Sequence, residues 1–455
     1  MEKLFKEFSS KTLLQWNEKI ISDLKGKDYN DLIWESPEKI TVAPIYTSES
    51  VQKFKGDTTH QHSDWEIEQS LNNPTNKIVL KSLNSGATAL LLSNINSKEL
   101  HLVLKDVLIQ HIQTSIKSSN IESALDSFLT LIEKRGLDKT RIKGSLHYDP
   151  LMSFLKRGRI EANFWEKFNI IQEKTKELVS FKSLSIQGHE YHNAGANSIQ
   201  ELAFSLAQLS EYFAHNKYLK SSKIQISLGV STNYFFEIAK FRAMRILWSQ
   251  IINTYKKENI SLELRAETGL RSTTLFDPYV NMLRTTSQCM SAALGGANII
   301  NVTNYSAAFK KQDPFAQRMA INTSLILKEE SYFNKVSDPS SGSYYIEELT
   351  NNMTENAWLL FQKIEAKGGW LEAIKSNFIQ EMIAQNASKQ EENLNKGDLT
   401  LLGTNLHPNL EDKMASKIET SKIDKSKKDL DFKVLCTRRL SEQMDVERLK
   451  EEKNA

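Results

Sequence analysis

Between Ile224 and Asn304 the chain alternates short apolar runs with long amphipathic ones, and that alternation restricts the fold more than any other feature. Ile224-Gln225-Ile226-Ser227-Leu228-Gly229-Val230 is short and apolar enough for a buried strand. In the run from Tyr234 to Trp248, Phe236, Ala239, Ala243, Ile246 and Leu247 recur at three- and four-residue spacing while Lys240 and Arg245 lie off the stripe, which predicts a helix. Leu262–Glu267 reads as the next strand, Asp277-Pro278 as the start of another helix, and Ala297–Asn304 as a third strand. Strand, helix, strand, helix, strand implies parallel pairing through right-handed crossovers.

The same reading extended upstream yields eight strand candidates: Trp65–Leu71, Thr88–Ser93, Leu102–Val107, Ile142–His147, Leu184–Gly188, Ile224–Val230, Leu262–Glu267 and Ile299–Asn304. Helical patterns fill most gaps, which predicts an α/β chain closed as a (β/α)8 TIM-type barrel; such a barrel takes roughly 250 residues before insertions. An open doubly wound sheet is the alternative, and the lack of a Gly-rich phosphate turn after the first strand counts against it. The 455 residues then divide into an N-terminal helical arm and linker (1–60), the barrel with its closing helices (61–390) and a C-terminal tail or strap (391–455). The arm carries Leu4, Phe8, Leu13, Trp16 and Ile20, a stripe that must bury on the barrel or on another chain. After the barrel, Pro314–Lys328, Thr354–Lys367 and Trp370–Asn386 read as helices, with Asp338–Glu347 between the first two as a turn feeding a short extended piece. Lys413–Asp431, rich in Lys, Ser and Asp, reads as solvated tail or as a strap over a partner.

With 59 basic and 56 acidic residues the net charge is +3, which favours neither nucleic acid nor a membrane surface. Cys289 and Cys436 cannot form a disulfide framework or a zinc site, no apolar run is long enough to span a bilayer, and the charged start lacks a signal-peptide core. A reducing, cytoplasmic setting is expected. His189 and His192 end the fifth strand candidate, at the barrel end where catalytic residues gather. They read either as a ligand pair or acid and base, or as positions satisfied by local hydrogen bonds. Glu190 and Glu267 are candidates for a hydrolytic carboxylate pair. Glu237 with Lys240 and Arg242, and Asp277 with Arg284, read as structural ion pairs. Gly295-Gly296 reads as a tight passage from helix to strand rather than a phosphate cradle.

Several words in this chain are collinear with a known family. Phe235-Phe236-Glu237-Ile238-Ala239-Lys240-Phe241-Arg242-Ala243, Asp277-Pro278-Tyr279 with Asn281 and Arg284-Thr285-Thr286, Gly295-Gly296-Ala297, Arg318 with Asn322-Thr323 and Glu329-Glu330, Asp338-Pro339 with Gly342-Ser343-Tyr344-Tyr345, and Leu402-Gly403-Thr404-Asn405 with Pro408-Asn409 stand in the order of the adenosylcobalamin-dependent methylmalonyl-CoA mutases. Over roughly residues 30–410 the chain resembles that family, and within it the small, non-catalytic subunit. The resemblance implies a barrel fold. It also implies a heterodimer whose large subunit binds adenosylcobalamin and substrate and interconverts (R)-methylmalonyl-CoA and succinyl-CoA.

The departures from the family pattern fall on its chemistry. The family's fifth strand ends in Gly-Tyr-His-Met-Gln-Glu-Ala-Gly-Ala, its His placed over the corrin and hydrogen-bonded to the thioester carbonyl. Counting back from Ala194-Gly195-Ala196 places Glu190 at that position, with His189 and His192 beside it. An ionised carboxylate only accepts hydrogen bonds, so it repels negative charge on a carbonyl oxygen. Where the family's seventh strand runs into Thr-His-Cys-Gln-Thr-Ser-Gly, this chain has Arg265-Ala266-Glu267-Thr268-Gly269-Leu270-Arg271. None of its nine histidines has Asp two residues before it, as the family's cobalt-ligating Asp-x-His-x-x-Gly loop requires. No cobalamin-binding Rossmann-like domain is therefore expected, and His189, Glu190, His192, Arg265, Glu267 and Arg271 are expected to be degenerate barrel-mouth positions with no catalytic, cofactor or metal role in this chain. Leucines on the second and sixth strands predict a more filled barrel axis than an acyl-CoA arm would need. The alternatives are a stand-alone barrel enzyme acting on an acyl-CoA through His189 and Glu190, and a binding module for cobalamin delivery.

Overall fold

The computed structural model describes residues 9–51, 63–215, 219, 223–311, 313–419 and 430–454. Among them eight parallel strands close into a barrel: β1 (Glu66–Asn72), β2 (Ala89–Ser93), β3 (Gln113–Lys117), β4 (Gly144–Ser145), β5 in two pieces (Phe181–Lys182 and Ser185–Gln187), β6 (Lys223–Val230), β7 (Ser261–Thr268) and β8 (Ile299–Asn301). Seven lie in one sheet, in the order β3-β2-β1-β8-β7-β6-β5. β4 completes the ring: it bridges to β3 at Gln113–Lys143 and Ile116–Leu146, and pairs in parallel with the first piece of β5. The β3–β4 approach is so close that a Cβ on Gly144 would lie 1.9 Å from the Thr114 carbonyl oxygen, and its φ of +138° suits glycine alone.

The third strand is not the Leu102–Val107 run read from the sequence. Leu100, Val103, Leu104 and Val107 are buried while Leu102 is 54% exposed, a three-and-four spacing, and Leu100–Val103 is helical. The strand is instead Gln113–Lys117, whose buried Gln113, Thr114 and Ser115 carry no apolar signal; the polar side chains of this strand serve the barrel interior.

Outside the barrel the helix Ser198–His215 is buried from Ser198 to Phe213, because the helices Tyr344–Glu365 and Gly369–Lys375 cover its outer side. The turn read at Asp338–Glu347 feeds no extended piece; its last residues, from Tyr344, are the first turn of Tyr344–Glu365. Trp370 donates from Nε1 to the Tyr191 hydroxyl (2.8 Å), which donates to Gln208 (2.8 Å), so the layers are tied by a buried hydrogen-bond chain as well as by apolar packing.

The ends behave differently. The N-terminal helix Leu13–Asp23 starts at a Thr12–Gln15 capping box, yet none of its residues is buried, and Leu14, Trp16 and Ile21 face outward. Leu4 and Phe8 of the expected stripe lie outside the described residues, as do 420–429 of the tail. From Leu430 the chain packs back onto the barrel. Phe432 and Leu435 join the core, and backbone amides of Asp431, Leu435, Arg438 and Leu440 donate to the carbonyls of Gly158, Leu155, Asn193 and Arg271. Among the described residues no helix is long and apolar enough to cross a membrane.

Candidate functional site

The barrel axis is filled, but by charged and amide side chains rather than by leucine. On β6 the pleat turns Ile224, Ile226 and Leu228 outward into the core and sends Gln225 and Ser227 inward. Arg265 of β7, with no solvent exposure, donates to Glu68 of β1 (2.7 Å), Ser227 (2.8 Å) and Glu267 (2.9 Å). Lys182 of β5 reaches across to Gln113 of β3 (3.3 Å) and pairs with Glu263 of β7. Gln225 accepts from Ser185 (2.7 Å) and donates to Glu263 (2.9 Å). Alternate strands thus contribute interlocking layers, the usual way such a barrel is filled.

Above Arg265, at the C-terminal ends of the strands, lies a cavity of about 400 Å³. Around its wall stand Ser70, Ser93, Lys117, His147, the His189–Glu190 pair, Glu267 and Asn301, and Thr437 of the C-terminal strap lines it as well. His189 and Glu190 open a short helix, His189–Ala194, directly after β5. His189 Nε2 lies 3.8 Å from Glu190 Oε1 and 3.9 Å from Glu267 Oε1, too long for hydrogen bonds. Each carboxylate has its own cation: Lys156 sits 2.7 Å from Glu190, and Arg265 sits 2.9 Å from Glu267. Burial pushes both carboxyls up, but Lys156, His189 and Lys117 bring Glu190 below its ordinary value, and His189, Arg265 and Lys117 bring Glu267 far below. Burial keeps His189 below the ordinary imidazole value despite Glu267 and Glu190, and holds His147 well below it, with Arg265 and Lys117 adding to the drop. A hydrolytic pair needs one carboxyl held protonated, and neither of these is.

The sequence-derived positions therefore part company. His189, Glu190 and Glu267 meet at the mouth, with Arg265 directly beneath Glu267. His192 does not line the cavity: its ring packs against Gly229 and Gly269, where an added Cβ would lie 2.6 and 2.4 Å from it. Arg271 is spent on the C-terminal segments, donating to Gln390 (2.7 Å) and to the Arg438 carbonyl (3.2 Å). The His189–His192 ligand pair is thus not assembled, and among the described residues no group of His, Cys, Asp and Glu is placed to hold a metal ion. The sequence reading missed Lys117, His147 and Lys156. His147 was reachable by the rule that singled out His189, since it ends a predicted strand; Lys117 was lost with the misplaced third strand.

The expected ion pairs are also redrawn. Glu237 and Lys240 do pair (2.6 Å), with no solvent exposure, and Lys240 also donates to Glu201 (2.8 Å) and to the Gly229 carbonyl (2.6 Å). Glu201 accepts from the Gly229 amide (2.6 Å), so Glu201 and Lys240 together hold the amide and the carbonyl of one residue of β6. Arg242 turns instead to Asp338 (2.5 Å) and Glu347 (2.7 Å). Arg284 donates to Asn281, Thr274 and the Leu402 carbonyl, with no ion pair to Asp277 among the described residues. A Cβ on Gly295 would meet Phe241 at 2.9 Å, in keeping with tight passage at that point.

This frame matches a family model described as methylmalonyl-CoA mutase over residues 92–452. The chain belongs to the methylmalonyl-CoA mutase family. It is 33% identical over 451 residues to a methylmalonyl-CoA mutase small subunit of Porphyromonas gingivalis, covering 92% of this chain and 73% of that one. It is 34% identical over 294 residues to a methylmalonyl-CoA mutase of Rhizobium meliloti, covering 62% of this chain and 41% of the relative. To the mitochondrial methylmalonyl-CoA mutase of Bos taurus it is 26% identical over 449 residues, covering 86% and 60%. The chain thus spans less than two thirds of the latter two mutases. At the mouth of this frame the Glu190 carboxylate is already engaged by Lys156.

Proposed function

We propose that this chain is the catalytically silent small subunit of a cytoplasmic methylmalonyl-CoA mutase, an isomerase whose large subunit binds adenosylcobalamin and substrate and interconverts (R)-methylmalonyl-CoA and succinyl-CoA. The observation that carries this reading is the blocked axis. A pantetheine arm lying along the barrel would have to displace Arg265 and Lys182, each fully or almost fully buried and ion-paired across the lumen. Removing such a partner from a buried pair costs about 3–5 kcal/mol.

The mouth does not fit a corrin either. A cavity of about 400 Å³ walled in part by Thr437 is several times too small for a corrinoid, and no imidazole there lies in the cobalt-ligating motif. Radical chemistry on that cofactor is accordingly assigned to the large subunit. What remains for this chain is a stable surface on which the partner folds and docks. The outward-facing Leu14, Trp16 and Ile21 of the arm are candidates for burial in that contact.

Tagged chain co-expressed with the large mutase subunit of the same organism tests the reading. Copurification in one-to-one ratio, with mutase turnover only when both chains are present, is expected. Turnover by this chain alone, or failure of the two to associate, would overturn it.

A further inference from the structure

We propose that the barrel mouth is a binding site for a small oxyanion, a carboxylate or phosphate group held at Lys117 beside His147 and Ser93. Lys117, at the end of β3, lines the cavity and has no ion-pair partner among the described residues, whereas every other charge facing the cavity or its floor is matched. Lys156 is taken by Glu190 and Arg265 by Glu68 and Glu267. Two residues past the next strand, His147 is 92% buried with Nε2 lacking any hydrogen-bond partner, and His189, 96% buried, has Nδ1 in the same condition. Buried polar atoms without partners are uncommon in folded chains and ask for an explanation.

The wall is bipolar. The β2 to β4 side presents the Lys117 ammonium and the His147 imidazole as donors, the Ser93 hydroxyl donating to the Leu71 carbonyl (3.2 Å), while the carboxylates stand on the β5 and β7 side. An oxyanion at the β3 corner gains the ammonium in direct contact, in competition with Glu190 and Glu267, which Lys117 stabilises from beyond ion-pair distance. The size of the cavity suits a small anion, and the blocked axis below bars an acyl-CoA arm from running down the barrel. The two sources of such an anion, carboxylates and phosphates, share this recognition chemistry.

The inference is independent of the subunit reading, because it concerns the mouth and not the partner surface. Isothermal titration of the full chain with sodium phosphate and with sodium acetate, against sodium chloride at matched ionic strength, tests it. Saturable binding of at least one probe is expected, and the probe preferred identifies the source. Lys117→Met, at an exposed position whose loss leaves the fold intact, is expected to weaken binding by about tenfold or more. Lys396→Met, on the remote helix Phe378–Lys396, should leave it unchanged. No saturation beyond chloride, or equal binding in Lys117→Met (an adventitious ion only), would overturn the proposal.

Discussion

Arg265 on the barrel axis and Lys240 in the helical layer are each shut away from water between two carboxylates, and the two arrangements differ in how the surplus charge is handled. Arg265 spreads its donors over Glu68, Glu267 and Ser227, and Glu267 still opens on the mouth cavity, 16% exposed. Lys240, Glu201 and Glu237 have no exposure at all. On the axis, burial opposes ionisation of Glu267, but neighbouring cations win and hold its carboxyl far below the ordinary range. In the layer, burial wins: it pushes Glu201 up to about 7 against the pull of Lys240, with Glu237 adding to the rise. One cation with two carboxylates thus leaves Glu267 ionised beside the mouth and its extra cations, while burial raises the carboxyls shut away from solvent, Glu68 on the axis and Glu201 in the layer.

The sharpest way to break this comparison is Arg265→Met. It strands Glu68 and Glu267 together at the centre of the barrel, and a loss of about 3–5 kcal/mol is expected. Urea unfolding followed by circular dichroism would read it, and a variant as stable as the parent would mean that the axis network is dispensable. Lys240→Met should cost somewhat less, about 2–4 kcal/mol, because Glu201 already takes up a proton near neutrality and can stay neutral when the ammonium is gone. For the same reason its cost should shrink as pH is lowered from 8 to 5. A cost for Lys240→Met that does not change with pH would show that Glu201 takes up no proton when the ammonium is gone.

How far the sequence announced these regions depends on which way each side chain points. The helical run around Lys240 was visible because apolar residues recur with a helical period, and the Glu237–Lys240 spacing announced a pair. Glu201, 39 positions away in sequence, could not be connected to it without the fold. The barrel was legible where strands carry outward apolar residues, as in Ile224–Val230, and illegible at Gln113–Lys117, whose side chains serve the polar interior. Leucine on β2 and β6 suggested an apolar filling of the axis; on β6 it was the alternate residues, Gln225 and Ser227, that faced inward, and on β2 only Leu91 reaches the mouth. At the mouth, motif comparison drew attention to Glu190, but the partner that neutralises it, Lys156, lies 34 positions upstream with no local signal.

The smallest effect is the most diagnostic of the difference in burial. Glu201 has a folded-state value near 7, above the roughly 4.3 of an unfolded glutamate, so the folded chain binds the extra proton. Its contribution to stability is full below about 4.3 and is lost as pH rises through about 7, amounting to no more than about 4 kcal/mol across that window. Glu267 has the opposite sign: its contribution is present above the unfolded value and is lost only as pH falls through its depressed one. Asp149, which burial pushes up to about 6 in spite of bonds from Gln187, Met152, Tyr212 and Gln208, slopes the same way as Glu201, so the parent's pH profile alone cannot isolate the layer. The difference between parent and Glu201→Gln can, since the amide cannot titrate. Urea midpoints between pH 5 and 8 should fall more steeply in the parent than in the variant by about 1–3 kcal/mol in total, and parallel profiles would show that the proton is not held at Glu201.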